Sequence, residues 1–492
     1  MCTHSSDQES NNSESIQWSI CQICRGTSKI NKGIRKKVKL RYQRELLKFE
    51  QSNHKGNGPI KPKGHLEPCN NCHGSGLVKV KNNPESQQNQ PLNDYPHVAI
   101  IGGGIGGVAL AVACLHRDIP FTLYERDVKF TARAQGYGLT LQQASREIQG
   151  LGISGLKQAV ISTRHVVHDT HGKIIGDWGV NDLDPANIKA SVNRTNIHIS
   201  RQSLRSALIE QLGANETIKW GHQLLDFERN KDSSISLRFE VGGQIKHSTA
   251  DLVVGADGIR SCVRKQLFDD QKSPLKYLGC IVILGICQLD NIQCDDRTLL
   301  NGSTVFQSAN GKERIYIMPY DEQSVMWQLS FPMHETEAKI LSAKGALVLK
   351  QESLKKCQWH DPIPQILKAT QTDLVSGYPV YDRELLQSNQ FEKAGNTTLI
   401  GDAAHPMSPF KGQGANQALL DALALGRAIK RGCRPESNWR EKGIRETVLK
   451  NFESEMIERT QSKVVESAKA AQFLHSDVVL VEANEPRGRC LK

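Results

Sequence analysis

The spacing of apolar positions changes several times along the chain. Residues 1–20 and 81–94 hold few apolar side chains, so we expect both stretches to be disordered. After the second stretch, an apolar run at 97–101 is followed by a glycine loop, a helical stretch at 108–117 and another apolar run at 121–125. That order predicts a strand, a helix and a second strand, which is a βαβ unit.

Two other patterns extend this prediction. Alternation of apolar and polar residues at 234–241 predicts a half-buried antiparallel strand, and 315–318 with 325–331 predict a strand pair around a turn. Residues 443–474 contain no proline, and apolar side chains recur every four positions from Ile444, which indicates a long helix that packs against the body. The predicted fold class is therefore α/β, with a parallel sheet, a mixed antiparallel sheet and a long C-terminal helix.

Composition narrows the class of protein. Of the 492 residues, 38% are hydrophobic and 23% are charged, which is typical of a globular chain. The most apolar stretch, 98–114, holds five glycines, so we predict no membrane span. The N-terminus has neither the basic start nor the apolar core of a secretion signal. We therefore expect a cytoplasmic protein whose 13 cysteines are not in disulfides.

The positive charge is concentrated near the N-terminus. Residues 1–96 hold 15 Lys and Arg against 8 Asp and Glu, a net charge of +7 out of +11 for the chain. Much of it lies at 32–48, which we interpret as a solvated basic helix face; an acidic protein partner or nucleic acid is the alternative. No aromatic-rich surface accompanies the basic run, which disfavours binding of nucleic acid.

Two Cys-x-x-Cys pairs lie in this basic region. Cys21 and Cys24 form the first pair, and Cys69 and Cys72 form the second. Four thiolates at this spacing predict one tetrahedral structural zinc ion, because so small a segment needs a metal to fold. A rubredoxin-like iron centre and unligated thiols are the alternatives. The second pair resembles the repeat of the zinc domain of DnaJ-type chaperones, whereas the first has Ser28 in place of the last glycine.

A glycine-rich loop follows the first strand of the predicted βαβ unit. Gly102, Gly104 and Gly107 form G-x-G-x-x-G, in which glycines permit a tight turn, close approach of a pyrophosphate and close helix–strand packing. Glu125 ends the next strand, 23 positions after Gly102, where a carboxylate accepts the ribose hydroxyls of an adenosine. This pattern predicts a dinucleotide site.

Two further strand ends carry glycine and aspartate. Residues 251–264 read DLVVGADGIRSCVR, a strand that ends in Asp-Gly. Residues 399–416 read LIGDAAHPMSPFKGQGAN, a strand that ends in Gly-Asp and leads through a proline loop to two glycines before a helix. The three motifs in this order resemble the class A flavoprotein monooxygenases (the aromatic hydroxylase family), and within that family the tetracycline-inactivating, salicylate and urate hydroxylase type. The resemblance spans about residues 96–475.

The resemblance implies a role for each motif. The first motif cradles the FAD pyrophosphate, the second contacts FAD and the passing nicotinamide cofactor, and the third holds the ribityl chain of the flavin. Pro409, Gly412, Gly414 and Arg201 lie at the flavin ring as candidate catalytic residues, and His405 is a loop element rather than a base. The predicted cofactor-binding residues are Gly102, Gly104, Gly107, Glu125, Arg126, Arg133, Arg201, Asp257, Gly258, Gly401, Asp402, Pro409, Gly412, Gly414 and Asn416.

Each of these assignments has a structural alternative. Asp257 and Asp402 could instead cap a turn or a helix, and the glycines of the third motif could form an ordinary loop-to-helix turn. Arg201 could be a surface arginine at the start of a helix.

The same resemblance implies the reaction. Hydride from NADPH or NADH reduces FAD, O₂ adds at the flavin C4a carbon, and the resulting hydroperoxide hydroxylates an aromatic, heteroaromatic or other electron-rich small molecule. The zinc unit would then position the enzyme or recruit a protein partner. The alternatives are a flavin-binding, redox-responsive regulatory protein that acts through its zinc unit, and a related flavin-dependent halogenase or reductase.

We expect the substrate to lie between the flavin and a sheet at about 277–381. If strand register is the opposite of the one favoured by the apolar pattern, Met326 or Gln328 faces that cavity. No arginine that would clamp a carboxylate is evident in the sequence. The side chains predicted to line or underlie the cavity are Ile315, Ile317, Val325, Trp327, Leu329 and Phe331.

The chain is accordingly divided into segments. Three FAD-binding segments alternate with two segments of a substrate domain, and a separate unit precedes them. The predicted bounds are 1–20 (disordered), 21–82 (zinc unit with basic helix), 83–95 (linker), 96–155, 191–273 and 389–435 (FAD-binding), 156–190 and 274–388 (substrate domain) and 436–492 (C-terminal helix and tail).

Overall fold

The structure is a computed structural model, and it divides the chain into two compact units after Pro91. Residues 1–16 and 81–94, for which disorder is predicted, and the cofactor candidate Arg133 lie outside the described residues. The described residues are 17–52, 58–59, 62, 64–80, 95–132, 137–179, 196–213, 218–268 and 274–489.

The N-terminal unit consists of two small antiparallel sheets and one helix. Strand β1 (Gln17–Ile20) pairs with β4 (Leu77–Val80), and β2 (Lys29–Asn31) pairs with β3 (Leu66–Pro68). The basic stretch forms the helix α1 (Lys36–Gln51), which has no buried residue. The solvated basic helix predicted from the sequence is therefore present.

The prediction that disorder extends to residue 20 is wrong for the last four of those residues. They form β1, in which Ile20 lies opposite Leu77 and Trp18 lies opposite Lys79. The Lys79 ammonium stands 5.7 Å from the centre of the Trp18 ring. A partner strand about 60 residues away in sequence supplies this order, and local composition does not encode such a contact.

The second unit is built around a five-stranded parallel sheet. Its strands are β5 (Val98–Ile101), β6 (Phe121–Glu125), β12 (Ile218–Trp220), β16 (Leu252–Gly255) and β22 (Thr397–Leu399). They lie in the order β12–β6–β5–β16–β22, and each neighbouring pair is parallel. The buried helix α2 (Ile105–Leu115) connects β5 to β6, which confirms the predicted βαβ unit.

Helices cover this sheet and fill the rest of the unit. Helix α2 packs against α4 (Arg201–Glu210) and α9 (Gly414–Gly432), and the second contact is close because Gly426 faces Ala113. The remaining helices are α3 (Ala144–Glu147), α5 (Cys262–Leu267), α6 (Glu335–Ala343), α7 (Ala346–Lys356), α8 (Ile363–Ala369), α10 (Trp439–Lys442) and α11 (Lys450–Phe473).

Two three-stranded antiparallel sheets flank the parallel sheet. In one of them the alternating stretch predicted from the sequence is the central strand, with Ile235, Leu237 and Phe239 buried on one face. The first sheet consists of β7 (Gly138–Leu141), β11 (Asn196–Ser200) and β8 (Val160–Ser162), and the second of β13 (Gln223–Arg229), β14 (Ile235–Val241) and β15 (Gln244–Ala250).

A seven-stranded mixed sheet forms the other half of the unit. In spatial order its strands are β10 (Ile174–Gly179), β9 (Arg164–His168), β18 (Thr304–Ala309), β19 (Arg314–Pro319), β20 (Ser324–Pro332), β17 (Leu275–Gln288) and β21 (Val375–Arg383). Every neighbouring pair is antiparallel except β9 and β18. The predicted strand pair is β19 and β20. One face of this sheet packs against α6, α7 and α8 around a core that contains Trp327.

The C-terminal helix forms as predicted. An irregular turn over Arg445–Leu449 leads into α11, which buries Phe452 and Met456 against the core of the parallel sheet. Within the described ranges, no helix combines the length and apolar character needed to cross a bilayer.

Candidate active site

The first glycine motif connects β5 to α2. A Cβ on Gly102, whose φ is +106°, would lie 2.6 Å from the carbonyl oxygen of Ala256, and a Cβ on Gly107 would lie 1.9 Å from that of Gly102. Both positions therefore require glycine for contacts within the protein. Gly104 has an ordinary φ of −73°, and the nearest atom to a Cβ there would be Nη2 of Arg201, at 3.9 Å. Its backbone is open to the cavity at the start of a helix, as a phosphate site requires.

Glu125 ends β6 beside this loop. Its Oε2 accepts a hydrogen bond from the Gly103 N–H at 2.6 Å, and its Oε1 accepts one from the Asp127 N–H at 2.9 Å. The side chain is nearly buried and lines the cavity. Because a carboxylate offers about four acceptor positions, two remain for the ribose hydroxyls that the sequence predicts there.

Arg205 supports the same loop and was not predicted from the sequence. Its Nε donates to the carbonyl of Gly103 at 2.7 Å, and its guanidinium lies 5.0 Å and 5.5 Å from the ring centres of Phe130 and Trp220. It follows Arg201 by four positions in ISRQSLR, so the two arginines share one face of α4. That spacing was the available signal.

Arg201 is the first residue of α4 and lines the cavity. Its Nη1 donates to the hydroxyl of Tyr137 at 3.0 Å. Tyr137 and, more weakly, Asp402 raise the pKa of the guanidinium, although burial opposes this shift. The side chain is enclosed beside the glycine loop, so the alternative of a surface arginine is excluded.

The second motif begins after β16. Asp257 Oδ2 accepts hydrogen bonds from the N–H groups of Cys262 at 2.7 Å and Val263 at 3.3 Å, so the carboxylate caps α5. Its Oδ1 is buried without a hydrogen-bond partner among the described residues, and burial raises the carboxyl pKa. Asp257 and Gly258 both line the cavity. The capping role is thus present, and an acceptor remains for a ligand.

Arg264 ties the second motif to the third and was also missed. Its Nη1 donates to the carbonyls of Ala403 and Ala404, at 3.1 and 2.8 Å. The side chain is fully buried. It therefore fixes the spacing between two motifs that lie about 140 residues apart in sequence.

The third motif surrounds the opposite side of the cavity. Gly401 has φ +58°, and its N–H donates to Asp421 Oδ2 at 2.8 Å. The Asp402 side chain lines the cavity and is therefore accessible to solvent inside it. The protein that encloses the cavity raises the pKa of this carboxyl group, and the nearby Arg201 lowers it. Pro409 begins a short turn that ends at Gly412, and Gly414 begins α9. The residues of this motif that line the cavity are Gly401, Asp402, Pro409, Gly412 and Gly414.

The structure does not support a cofactor contact for Asn416. Its Oδ1 accepts from the N–H groups of Gln142 and Ala144, and its Nδ2 donates to the carbonyls of Thr140 and Gly412, at 2.8–3.2 Å. The amide is fully buried and does not line the cavity. Asn416 instead holds the Gly412 loop against β7, a role that the sequence does not show because the three partners other than Gly412 lie about 275 residues away.

His405 is structural, as the sequence analysis favoured. Its Nε2 lies 2.7 Å from Asp421 Oδ2, and Arg459 Nη2 lies 2.7 Å from Asp421 Oδ1. Burial by itself would raise the pKa of Asp421, but His405 and Arg459 lower it. This buried ionic group lies behind the third motif and anchors α11 to α9.

One continuous cavity of about 1340 Å³ joins the three motifs to the seven-stranded sheet. This volume exceeds the roughly 300–1,000 Å³ of a site for one small molecule, so a dinucleotide and a substrate fit together. The open backbone at Gly104 and the unpartnered Oδ1 of Asp257 fit FAD. Of the predicted cofactor residues within the described ranges, those that line the cavity are Gly102, Gly104, Glu125, Arg126, Arg201, Asp257, Gly258, Gly401, Asp402, Pro409, Gly412 and Gly414; Gly107 packs behind the loop.

Strand register decides which side chains of the sheet face this cavity. The apolar residues predicted to line it pack on the other face, in the core with α6, α7 and α8; these are Ile315, Ile317, Val325, Trp327, Leu329 and Phe331. Met326 and Gln328 face the cavity, together with Tyr316 and Met318 from β19. A Cβ on Gly138 would lie 2.6 Å from Met318 Cε, so the sheet approaches β7 closely there. The register that the sequence offered as an alternative is the observed one.

Arg314 also faces this cavity and was missed. It begins β19, and it lies on the same face as Tyr316 and Met318 because alternate residues of a strand share a face. The signal in the sequence was a charged residue at the first position of an otherwise apolar strand.

The four predicted metal ligands of the N-terminal unit form one buried cluster. The Sγ atoms of Cys21, Cys24, Cys69 and Cys72 all lie within 4.8 Å of one another. Cys21 and Cys69 are 3.8 Å apart at Sγ, and Cys24 and Cys72 are 3.7 Å apart. Tetrahedral zinc with Zn–S bonds of about 2.3 Å requires sulfurs about 3.8 Å apart, so the cluster fits zinc.

Hydrogen bonds to the sulfurs favour thiolates. Asn71 Nδ2 donates to Cys21 Sγ at 3.2 Å, and the Gly76 N–H donates to Cys72 Sγ at 3.2 Å. Burial opposes ionisation of Cys21, but several hydrogen bonds, the strongest of them from Asn71, together lower its pKa to about 7. Burial raises the pKa of Cys24 to about 12, the penalty that a bound cation would remove.

The two cysteine loops have matching backbones. Cys21 N–H donates to the Gly76 carbonyl, and Cys69 N–H donates to the Ser28 carbonyl, both at 2.9 Å. Ser28 adopts φ +67°, close to the +85° of Gly76, which occupies the equivalent position. The sequence difference at Ser28 therefore leaves the loop geometry unchanged.

Comparison with known proteins agrees with this geometry. Residues 95–437 match the family described as FAD binding domain. The chain is 29% identical over 334 residues to aurachin C monooxygenase/isomerase of Stigmatella aurantiaca, which covers 68% of this chain and 80% of the relative. It is 25% identical over 397 residues to the FAD-dependent monooxygenase thnD of Trichoderma harzianum, which covers 74% and 90%.

A solved structure shares the fold. Klebsiella pneumoniae HpxO, complexed with FAD and uric acid, superposes with a TM-score of 0.63 at 19% identity, over 78% of this chain and 88% of that one. The family match covers more than half of the chain, and the cavity has the shape and donors for the cofactor. This chain therefore belongs to the FAD-binding class A flavoprotein monooxygenases, and it is an FAD-dependent oxidoreductase.

Proposed function

We propose that this enzyme uses NAD(P)H and O₂ to hydroxylate an aromatic or other electron-rich small molecule. The observation that carries the proposal is the single cavity, in which the dinucleotide motifs and the face of β19 and β20 are continuous. Bound FAD supplies acceptance of hydride from the nicotinamide and transfer of one oxygen atom from O₂ to the substrate. The protein supplies binding, orientation and exclusion of water.

The residues of the first two motifs hold the adenosine and pyrophosphate. Gly104 presents its bare peptide and the start of α2 to the phosphates, and Glu125 accepts the ribose hydroxyls. Asp257 offers the buried Oδ1 to a hydroxyl or N–H donor of the cofactor. An unpaired buried acceptor costs about 1–3 kcal/mol, which a bound ligand would recover.

The third motif acts on charge at the reacting end. Gly412 and Gly414 leave the N-terminus of the 19-residue helix α9 open to the cavity. The first N–H groups of a helix lack intrahelical acceptors and carry partial positive charge, so they stabilise negative charge that develops near them. Pro409 fixes the approach of the loop, and Arg201 adds a full positive charge beside Asp402.

The sheet supplies a dry wall for the substrate. Met318 and Met326 pack against Gly138 at the start of β7, and Val305 lies beside them. These side chains exclude water from the place where the substrate ring would meet the cofactor. Thioethers adapt to irregular shapes, so this wall suits a planar ring.

We infer that the N-terminal unit holds one structural zinc ion through its four cysteines. The sulfur separations support zinc ligation. The unit has no other apolar cluster among the described residues, so the metal would replace the missing core. Helix α1 is exposed along its length, which is compatible with a protein partner there.

The test of the proposed reaction is oxygen transfer. The full-length protein, loaded with FAD, is incubated with NADPH or NADH, ¹⁸O₂ and a panel of phenols and heteroaromatics, and products are analysed by mass spectrometry. We expect a substrate to accelerate NAD(P)H oxidation and to gain one ¹⁸O atom. Failure to take up FAD, or NAD(P)H oxidation that never transfers ¹⁸O across the panel, would overturn the proposal.

A further inference from the structure

A buried arginine stands on the substrate side of the cavity. Arg314 begins β19, where it lies opposite Ser330 of β20, and only 6% of its surface is exposed. Its Nε donates to Gln307 Oε1 at 2.8 Å, and its guanidinium carbon lies 5.0 Å from the centre of the Tyr316 ring. These contacts orient the guanidinium and leave both Nη groups unused.

Nothing in the described part of the chain neutralises this charge. Within those ranges no carboxylate forms an ion pair or a hydrogen bond with Arg314, and its Nη1 and Nη2 have no acceptor. Burial lowers the pKa of the guanidinium to about 10, so it stays protonated at neutral pH. A buried unpaired cation is costly, and proteins usually pair it.

Other buried arginines of the unit do have partners. Arg264 donates to the carbonyls of Ala403 and Ala404, and Arg205 donates to the carbonyl of Gly103. Arg314 differs because it faces an open chamber instead of backbone carbonyls. Its donors face the cavity, where no described residue accepts from them.

The charged side chains that line the cavity around Arg314 are of one sign, positive. The acidic residues that line the cavity belong to the cofactor motifs or their neighbours: Glu125, Asp127, Asp257 and Asp402. The sheet side contributes Arg314 with the neutral polar side chains of Gln307, Gln328 and Tyr316, and Lys411 also lines the cavity. An anion entering this half would meet no carboxylate of the described residues.

The chamber is polar at one end and apolar at the other. Along β19, Arg314 and Met318 are four residues apart, which corresponds to about 13 Å. Met318 packs beside Gly138, near Tyr137 and Arg201. A flat molecule between them would have its ring at the methionine end and its charged group at the arginine end.

We propose that Arg314 is the specificity-determining residue for an acidic group on the substrate, so that this enzyme acts on an aromatic or heteroaromatic acid. The free Nη1 and Nη2 can donate to the two oxygens of a carboxylate, and the hydrogen bond from Nε to Gln307 holds the guanidinium in place. This inference rests on the proposed function, because it assigns the substrate of the same cavity.

The test compares acids with neutral amides of the same shape. The FAD-loaded full-length protein is titrated with benzoate, anthranilate and 4-hydroxybenzoate and with the corresponding amides, and binding is followed by the change in flavin absorbance. The variants are Arg314→Met, which keeps length without charge, and Arg314→Lys, which keeps charge. The matched control is Arg238→Met, because Arg238 is an exposed arginine outside the cavity, paired with Asp226.

We expect the parent and the control to bind at least one acid about 10-fold or more tighter than its amide, as charge-assisted hydrogen bonds provide. Arg314→Met should abolish that preference, and Arg314→Lys should restore part of it. A structural role alone would not change the ratio of acid to amide affinity. Thermal unfolding would detect a loss of folding in Arg314→Met. In that case the ratio of acid to amide affinity is compared between the parent and Arg314→Lys.

Three outcomes would overturn the inference: equal affinity for acid and amide, binding of none of the acids, or a preference that persists without Arg314. Each is separate from failure of the proposed function. NAD(P)H-dependent ¹⁸O transfer to a neutral substrate would sustain the proposed function and reject the acid. Failure of FAD uptake would reject the proposed function itself.

Discussion

Oε2 of Glu125 lies 2.6 Å from the backbone nitrogen of Gly103, so the end of β6 and the glycine loop after β5 are joined by a charge-assisted hydrogen bond. The other oxygen of the same carboxylate accepts from the Asp127 N–H. One side chain thus shapes the phosphate loop and presents acceptors to the ribose.

Replacement of Glu125 by Gln should weaken FAD binding. The amide NH₂ group cannot accept a hydrogen bond, so one of the two backbone donors loses its partner at a cost of about 1–3 kcal/mol. We expect the FAD dissociation constant to rise by about 10-fold or more, measured by fluorescence titration of the apoprotein. The control is Glu240→Gln, because Glu240 accepts from the Gly243 N–H on a solvent-facing turn. Equal effects of the two substitutions would contradict this role for Glu125.

Two glycines of the same loop should respond differently to alanine. A Cβ on Gly107 would lie 1.9 Å from a backbone oxygen, so Gly107→Ala should lower the free energy of unfolding by roughly 2–4 kcal/mol. A Cβ on Gly104 would meet no protein atom closer than 3.9 Å. Gly104→Ala should therefore unfold like the parent apoprotein and lose affinity for FAD.

Thermal unfolding of the apoproteins and FAD titration of each variant test this pair. The idea fails if Gly104→Ala binds FAD like the parent, or if it is as unstable as Gly107→Ala.

Acid should destabilise the second unit through buried histidines, and His198 is the clearest case. It lies between Thr140 and Ser162, and burial lowers its pKa to about 3, against about 6.5 in an unfolded chain. The unfolded chain therefore binds a proton that the folded state excludes. Neutral His198 therefore makes its full contribution to the free energy of unfolding above about pH 6.5, and this contribution is lost as the pH falls toward 3.

His198→Gln should flatten this dependence. Between pH 6 and pH 4 we expect the slope of unfolding free energy against pH to decrease by up to about 1.4 kcal/mol per pH unit, measured by denaturant unfolding. The exposed His247→Gln serves as the control. An unchanged slope in His198→Gln would show that the buried imidazole accepts a proton in the folded state.

The cysteine cluster should hold one zinc ion per chain. Elemental analysis of the purified full-length protein should find zinc at about one equivalent, and Co²⁺ substitution should give the visible absorption bands of a tetrahedral thiolate site. Cys69→Ser should lose the metal and expose residues 17–80 to proteolysis. Cys262→Ser, which alters a cysteine outside the cluster, should keep it. Iron in place of zinc, or zinc retained by Cys69→Ser, would contradict the assignment.

Much of the cofactor half could be predicted because its signals are local. The glycines of the first motif follow directly after β5, and Glu125 ends the next strand of the same βαβ unit. The two Cys-x-x-Cys loops likewise contain their own turn geometry, and only their meeting in space is long-range. Such elements can be predicted from the sequence because a few neighbouring residues specify both the backbone conformation and the chemistry.

The substrate half was harder for a specific reason. Alternation along β19 and β20 shows that the strand has two faces, but both faces are buried here, one against helices and one around the cavity. The structural role of Asn416 could not be predicted for a related reason. Except for the hydrogen bond to Gly412, its hydrogen bonds join segments that lie about 275 residues from it in sequence.

The sequence by itself determined the βαβ unit, the strand pair of the mixed sheet, the long C-terminal helix, the glycine positions that only a glycine fits, and the four thiols of the N-terminal unit. Those features depend on the conformational limits of single residues and on short spacings. Only the tertiary structure decided that Met326 and Gln328 face the cavity, and that Arg314 lies there with no counter-ion among the described residues. Burial and pairing of a side chain depend on which distant segments surround it, and no local pattern specifies those neighbours.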